Sequence, residues 1–131
     1  MVMLDIDNFK KVNDTWGHDV GDVVLKDISE LIRNSVEGRE DAVGGRWGGE
    51  EFMILLPSMD QSVAAAIAED LRKEVELHVF ETAGPMTISI GVVDSKECSQ
   101  MHILYRDVDE ALYEAKNSGK NRVVVKTRKN A

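Results

Sequence analysis

Two pairs of carboxylates lie at the edges of apolar runs, where charged side chains are uncommon. Asp5 and Asp7 flank Ile6 in the stretch LDIDNFKK. Glu50 and Glu51 directly precede the run FMILL. Neighbouring like charges resist ionising together, so a soluble domain seldom places them beside a buried strand without a partner. We expect the two pairs to meet in the fold, where four close carboxylates would require cations.

The pair around Ile6 is open to three interpretations. A solvated loop with an Asx turn is the ordinary outcome for an isolated D-x-D sequence. A calcium-binding EF-hand loop fails because Phe9 stands where an oxygen ligand is needed and Lys10 where glycine is needed. The third is a metal-carboxylate pair in a palm-like phosphoryl-transfer site, where Mg²⁺ takes one or two carboxylates together with substrate phosphates.

The strands that would position these residues are predicted from short apolar runs. VMLDI and RVVVK each predict a strand, and MTISIGVV alternates in a way that predicts a half-buried strand. GRWGGEEFMILLP predicts two strands joined by a tight turn at Gly48-Gly49 and stopped by Pro57. We expect Trp16 to lie in the core and Trp47 to serve packing rather than chemistry.

Three helices are predicted from apolar residues spaced four apart. The first runs from about Asp19 to Val36, the second is capped by Asp60, and the third ends with Gly119 as its C-cap. The resulting order is β-α-β-β-α-β-α-β, which predicts an α+β fold. Its first six elements give the ferredoxin-like (split βαβ) arrangement, an antiparallel sheet with helices on one face. In that topology the DID segment and the turn before Glu50 meet at one edge.

Composition limits the class of protein. The chain has 131 residues, 43% of them apolar and 31% charged, which is typical of one globular domain. A net charge of -8 argues against a nonspecific grip on nucleic acid, although a metal cation can bridge acidic side chains to phosphates. Three distant histidines and one cysteine argue against a zinc site. Cys98, interpreted as an apolar filler or a loop thiol, fits a reducing cytoplasm. No apolar run approaches the ~20 residues of a membrane span, and the start lacks signal-peptide features.

Four stretches resemble the GGDEF family of diguanylate cyclases, in the family's order and at its spacing. They are DIDNFKKVNDTWGHDVGD, RWGGEEF, ISIGV and ALYEAKNSGKNRV. The resemblance covers nearly the whole chain, to about Val125. Each motif alone is weak, but four in register are highly specific. The family's fold is a ferredoxin-like palm with an antiparallel central sheet flanked by helices, similar to that of nucleotidyl cyclases.

The resemblance implies that two GTP molecules condense to cyclic di-GMP and release two pyrophosphates. By this resemblance the carboxylate of Asp5, the carbonyl of Ile6 and the carboxylate of Glu50 bind Mg²⁺ (or Mn²⁺). Glu51 aids the second metal position. Either Glu50 or a metal-bound water helps to deprotonate the attacking 3′-hydroxyl.

The same resemblance implies that further residues contact the triphosphate. The amides from Ile6 to Phe9 would cradle it, and Lys10 would neutralise the charge that develops on it. Lys116 and Lys120 would hold the terminal phosphates, although a solvated basic helix end is the simpler interpretation of this pair. The family more often has arginine at the second position. Lysine loses the bidentate fork, so we expect weaker triphosphate affinity.

By the same resemblance, Asn13 and Asp22 would bind the guanine base. Guanine offers N1–H and N2–H₂ donors to a carboxylate, and adenine lacks both at that edge, so an aspartate favours GTP. The alternative for Asp22 is a helix-start charge favoured by the dipole. His18 either helps to order the guanine pocket or is a structural turn residue.

Two departures from the family pattern stand out. The product-inhibition motif R-x-x-D is represented by REDA, where Arg39 fits, Ala42 occupies the aspartate's place and Asp41 comes one residue early. The sequence therefore does not predict feedback by cyclic di-GMP. Family domains also begin with a helix and a D-x-LTGL-x-NRR-like segment. We therefore expect 1–126 to be an amino-terminally truncated GGDEF domain followed by a tail, 127–131.

Catalysis in this scheme requires a homodimer in which two chains meet face to face, each carrying one GTP. A sensory or regulatory domain is expected on the amino side, with no nucleic-acid or membrane contact by this segment and a cytoplasmic location. The competing hypotheses are a non-catalytic GGDEF domain that binds GTP as a regulatory module, a nucleic-acid binder or polymerase palm, and a mononucleotide cyclase. Retention of all the acidic residues favours the enzyme.

Overall fold

The computed structural model describes residues 1–57, 59–94 and 100–126; Cys98 and the predicted tail, 127–131, lie outside them. Within those ranges the chain forms five strands and four helices. In order they are β1 (Val2–Ile6), α1 (Phe9–Trp16), α2 (His18–Ser35), β2 (Val43–Gly48), β3 (Glu51–Leu55), α3 (Gln61–Leu77), β4 (Ile88–Val93), α4 (Met101–Asn117) and β5 (Val123–Lys126). None of the helices in this part of the chain is both long and apolar enough to cross a bilayer.

The strands form one sheet in the order β2-β3-β1-β4-β5. The central strand β1 is antiparallel to β3 and to β4, and β2 pairs antiparallel with β3. At the far edge β5 runs parallel to β4, because helix α4 carries the chain back across the sheet between them. The predicted α+β fold, with an antiparallel sheet flanked by helices, is confirmed.

The two faces of the sheet carry two apolar clusters. Because side chains alternate along a strand, β1 sends Val2, Leu4 and Ile6 toward the cluster that includes helices α2 and α3. Met1 and Met3 belong to the opposite cluster, which packs against helix α4. Asp5 follows Met3 in this alternation, so its side chain leaves the strand on the face covered by α4.

Strand β4 is buried on both faces, so the prediction of a half-buried strand is wrong. The face that carries Ser89 and Gly91 is covered by α4. A Cβ added to Gly91 would lie 2.6 Å from the amide nitrogen of Leu112 and 2.7 Å from the carbonyl oxygen of Val108. Glycine therefore allows the helix backbone to approach the sheet this closely.

The predicted helix ends agree with the structure to within one residue where they can be compared. Asp60 caps α3 as predicted, and its carboxylate accepts a hydrogen bond of 3.2 Å from the amide of Val63. Helix α4 is capped by Ser118 rather than Gly119, which follows with φ 129°. Helix α1 was not predicted.

The β2–β3 hairpin turns at Gly49-Glu50, one residue later than predicted. Gly48 pairs with Glu51, which leaves Gly49 and Glu50 at the tip, and Gly49 adopts φ 54°. The side chain of Arg46 donates a 2.7 Å hydrogen bond from Nε to the Gly49 carbonyl and braces the turn. The position of the turn matters because it places Glu50 at the tip beside Gly49, where two glycines were predicted.

Both tryptophans are more exposed than expected. Trp16 is 52% exposed, so its prediction as a core residue is wrong. Trp47 is 55% exposed and lies at the irregularity in the β2–β3 register. Its ring makes a tilted contact with that of Tyr105, with 5.5 Å between the centroids, so it does pack against a neighbour.

Candidate active site

The end of β1 and the tip of the β2–β3 hairpin lie side by side. Asp5 is the antiparallel partner of Glu51, and the amide of Ile6 donates a 3.3 Å hydrogen bond to the carbonyl of Glu50. The Asp5 side chain is only 3% exposed, whereas Glu50 and Glu51 are half-buried. The predicted meeting of these acidic segments at one edge of the sheet is confirmed for these three residues.

The carboxyl groups are close enough to disturb one another's ionisation. Burial, the negative charge of Asp5 and a hydrogen bond to the Asp5 carboxyl together raise the pKa of Glu50. Burial and then the charge of Asp5 raise the pKa of Glu51. The fold thus holds three carboxyls where their mutual repulsion is unfavourable, and added positive charge would relieve it.

Part of that positive charge comes from helix α4. The ammonium group of Lys116, in the last turn of the helix, forms an ion pair with the buried carboxylate of Asp5. Lys116 also acts against the upward pKa shifts of Glu50 and Glu51. The lysine predicted to hold phosphate thus lies against the carboxylate predicted to bind metal.

Asp7 does not join this acidic group, which corrects the expectation of four converging carboxylates. Its carboxylate accepts hydrogen bonds from Thr87 Oγ1 at 2.7 Å, Ser89 Oγ at 2.6 Å and the amide of Asn121 at 3.0 Å. Sequence reasoning did not assign a role to these three donors. The alternating hydroxyl residues Thr87, just before β4, and Ser89, within it, were the available signal, because small hydroxyl side chains can satisfy a neighbouring carboxylate.

Fewer backbone amides in the turn after β1 can contact an anion than the sequence predicted. The amides of Ile6 and Asp7 donate to the carbonyls of Glu50 and Thr87, so they are engaged within the sheet. The amides of Asn8 and Phe9 remain at the start of α1. Asn8 has φ 59°, and its side-chain oxygen accepts a 2.9 Å hydrogen bond from the ammonium of Lys120. Two amides and a lysine here form a local environment suited to phosphate.

The predicted guanine residues lie on α1 and α2. Asn13 packs against α2 so closely that a Cβ on Gly21 would lie 2.0 Å from Asn13 Oδ1. That oxygen is buried and has no hydrogen-bond partner within the described residues. Asp22, the residue after Gly21, is exposed, as is His18 at the first position of α2. Among the described residues, the contact of α1 with α2 thus contains an unpaired buried oxygen, close to the exposed carboxylate of Asp22 in the chain.

The remaining predicted residues lie on the exterior. Lys10 is exposed in the first turn of α1. Arg39 and Asp41 are exposed in the connection between α2 and β2, where Ala42 is half-buried and packs against the core.

The donor set is compatible with Mg²⁺ that arrives with a nucleotide. Within residues 1–57, 59–94 and 100–126, no group of three or more histidine, cysteine, aspartate or glutamate side chains forms a ready-made metal site. The carboxyls of Asp5 and Glu50 nevertheless lie close enough to raise the pKa of Glu50, and a cation would relieve their repulsion. Magnesium commonly takes one or two protein carboxylates and completes its shell with phosphates and water. The residues therefore fit a cation shared with a substrate.

Comparison with known sequences identifies related proteins. Residues 1–122 match the family model described as diguanylate cyclase, GGDEF domain. The chain is 45% identical over 132 residues to the protein named "Probable diguanylate cyclase DgcT" of Escherichia coli (strain K12). That match covers 96% of this chain and 29% of the longer protein, so the chain spans less than a third of this relative.

Solved structures show the same relationship in three dimensions. The active GGEEF domain of a diguanylate cyclase from Vibrio cholerae superposes with a TM-score of 0.89 at 34% identity, covering 98% of this chain and 82% of that domain. The GGDEF domain of DgcB from Caulobacter crescentus, solved with c-di-GMP, gives 0.87 at 35% identity, covering 95% and 75%. The shared family model, the shared fold and the acidic hairpin at the end of β1 agree: the chain belongs to the GGDEF family.

Proposed function

We propose that the chain is the catalytic domain of a diguanylate cyclase, which condenses two GTP into cyclic di-GMP and releases two pyrophosphates. The observation that carries the proposal is the cluster at the end of β1. There Glu50 and Glu51 lie beside the buried Asp5, Lys116 pairs with Asp5, and Lys120 contacts the turn at Asn8. Acidic groups that need a cation thus lie beside amides and ammonium groups suited to phosphates.

In the proposed site, Asp5, the carbonyl of Ile6 and Glu50 hold Mg²⁺ or Mn²⁺, and Glu51 supports a second metal position. The metal, when bound, supplies Lewis-acid stabilisation of the charge on the α-phosphate. Lys116 then exchanges its ion pair with Asp5 for a contact with the terminal phosphates. This exchange keeps Asp5 paired with positive charge in both states, which matters because a buried carboxylate is costly when it is left unpaired.

Glu50 is suited to accept a proton from the 3′-hydroxyl of the incoming nucleotide. Its place at the tip of the hairpin, beside the end of β1, brings its carboxylate to the region where the α-phosphate would be held. The 3′-oxygen attacks the α-phosphorus, the bond from the α-phosphorus to the bridging oxygen breaks, and pyrophosphate leaves with that oxygen. Lys10 and Lys120 stabilise the charge that accumulates on the leaving group. Two such steps close the ring.

Recognition of guanine is assigned to the surface between α1 and α2. The exposed carboxylate of Asp22 can accept hydrogen bonds from guanine N–H groups, which adenine does not offer at that edge. Asn13 would join it when its buried Oδ1 turns from Gly21 toward the base. Phe9 supports this surface from below, because a Cβ on Gly21 would lie 3.2 Å from Phe9 Cζ. His18 orders the start of α2 beside it.

Each domain supplies one GTP and half of the reaction, so the active species is a homodimer with two sites facing one another. Proximity across this two-fold interface then replaces the encounter of two nucleotides in solution. The relatives are much longer than this chain. We therefore place the sensory or regulatory part that controls dimerisation outside this segment.

The test is incubation with GTP and Mg²⁺ at several protein concentrations, with products separated by chromatography. We expect cyclic di-GMP and pyrophosphate from the wild-type chain. A Glu50→Gln variant should give less than about 1% of this rate, because it removes both a metal ligand and a base. Glu30→Gln, an exposed change on α2, is the matched control and should retain full activity. Cyclic GMP, or GTP bound but unchanged by folded protein, would contradict the proposal.

A further inference from the structure

The α4–β5 turn, residues 118–122, has a backbone conformation that needs support. Lys120 and Asn121 adopt φ values of 63° and 47°, so two consecutive residues other than glycine lie in the left-handed region. Such conformations are strained and persist only where surrounding contacts fix them. The contacts that hold this turn therefore determine where the side chain of Lys120 is presented.

One of these contacts comes from Asp7, through the amide of Asn121 at 3.0 Å. Asp7 is 4% exposed, and the hydroxyls of Thr87, just before β4, and Ser89, within it, also donate to its carboxylate. Within the described structure both carboxylate oxygens are thus engaged by β4 and by the turn. These hydrogen bonds fix the Asp7 side chain and connect the end of β1 to Asn121.

A second contact comes from helix α3. Arg72 donates a 3.0 Å hydrogen bond from Nη1 to the side-chain oxygen of Asn121. Together Asp7 and Arg72 hold the backbone and the side chain of the same residue. The preceding residue, Lys120, then places its ammonium 2.9 Å from Asn8 Oδ1, at the start of α1.

We propose that Asp7 is a positioning residue, not a metal ligand, which acts through Asn121 to hold Lys120 over the triphosphate site. This inference rests on the proposed function for the assignment of Lys120 to the phosphates. It predicts that Asp7 and Lys120 act as one unit on phosphate binding, and that Asp7 has no direct effect on the metal.

The experiment measures binding of 3′-deoxy-GTP in the presence of Mg²⁺, because this nucleotide lacks the attacking hydroxyl and is not consumed. Lys120→Ala and Asp7→Ala should each lower its affinity about tenfold, the worth of one charged hydrogen bond. GMP, which lacks the terminal phosphates, should bind within about twofold of wild type to both. Asp7→Asn retains an oxygen acceptor for the Asn121 amide and should fall between wild type and Asp7→Ala.

The double variant distinguishes positioning from an independent effect. Asp7→Ala combined with Lys120→Ala should bind 3′-deoxy-GTP no more weakly than Lys120→Ala alone, since coupled residues are not additive. Losses that multiply would overturn the inference. So would an Mg²⁺ half-saturation raised by Asp7→Asn as much as by Asp5→Asn, because that result would make Asp7 a ligand.

Arg72→Ala provides the same test if Asp7→Ala does not fold. It removes the other contact to Asn121, and Arg72 is partly exposed on α3. It should reproduce the phosphate-dependent loss, with Lys73→Ala on the same helix as the neutral control. Hydrogen exchange at the Asn121 amide should accelerate in the folded Asp7 variants, and an unchanged rate would overturn the inference. A wild-type chain that binds 3′-deoxy-GTP but makes no cyclic di-GMP would refute the proposed function alone.

Discussion

At the scale of single residues, the acidic cluster proposed as the metal site lowers the stability of the folded chain at neutral pH. Glu50 and Glu51 carry raised pKa values because burial and the charge of Asp5 disfavour their ionised forms. A raised pKa means that the folded chain binds the proton more tightly than the unfolded chain. The stabilising contribution of each carboxyl is therefore present at low pH and is lost as the pH rises through its folded pKa.

Glu50→Gln should therefore stabilise the metal-free protein at neutral pH while it abolishes turnover. Because Glu50 is only half-buried and solvent screens its charge, we expect a rise in Tm on the order of one to three degrees. Below the ordinary range of a glutamate pKa the two proteins should melt together, since the wild-type carboxyl is then protonated. Thermal unfolding followed by circular dichroism across pH, without divalent ions, measures this. A destabilised Gln variant at neutral pH would contradict the repulsion argument.

Asp22 gives a second prediction at this scale, on base selection. Asp22→Ser should lower the preference for GTP over ATP by about one to two orders of magnitude, because the variant no longer has a carboxylate to pair with guanine N1–H and N2–H₂. The ratio of kcat/KM for the two nucleotides measures this. Asp19→Ser removes an exposed charge from the first turn of the same helix and should leave the ratio unchanged. An unchanged ratio in Asp22→Ser would remove Asp22 from the base site.

At the scale of elements, the site depends on how closely helix α4 approaches the sheet. Lys116 reaches Asp5 from the last turn of this helix, and the following turn contacts Asp7 and Asn8. Gly91 permits the approach, because a Cβ there would collide with backbone atoms of α4. Backbone atoms cannot yield as a flexible side chain can.

Gly91→Ala should therefore lower the free energy of unfolding by about 1–3 kcal/mol, the usual cost of overpacking. It should also weaken GTP binding, because the helix would carry Lys116 away from Asp5. Gly45→Ala on strand β2 is the matched control, since nothing lies within 4 Å of the added Cβ and no positive φ is involved. The control should change stability by no more than about 0.5 kcal/mol. Urea denaturation of both variants tests the pair, and equal stabilities would contradict the close approach.

At the scale of the whole molecule, one chain carries one set of the residues proposed to bind metal and phosphate. If each copy supplies half of the reaction, specific activity should rise roughly in proportion to protein concentration while dimers are scarce. It should level off when most chains are paired. Cyclic di-GMP production over a hundredfold range of concentration, beside sedimentation analysis, measures both curves. Constant specific activity from a chain that stays monomeric would contradict the two-chain mechanism.

The sequence predicted the parts of this protein that rest on local pattern. Short apolar runs located β1 and the β2–β3 hairpin, and apolar residues spaced four apart located α2 and α3. The Asp60 cap needed only a carboxylate at a helix start. Helix α1 was missed because FKKVNDTW is short and its inward-facing apolar residues are chiefly Phe9 and Val12. Its stability depends on packing against α2, which no local pattern reveals. The tip of the hairpin moved by one residue for the same reason, since pairing across the strands sets the register.

The arrangement of the acidic residues was likewise predictable only in part. The sequence by itself determined which residue types are present and that β1 and the hairpin adjoin, so Asp5 and Glu50 could be placed together. Only the tertiary structure decided that Asp7 turns to Thr87, Ser89 and the distant Asn121 instead of joining them. The physical reason is that a buried carboxylate binds whichever donors the fold brings to it. Those donors come from parts of the chain 80 or more residues away.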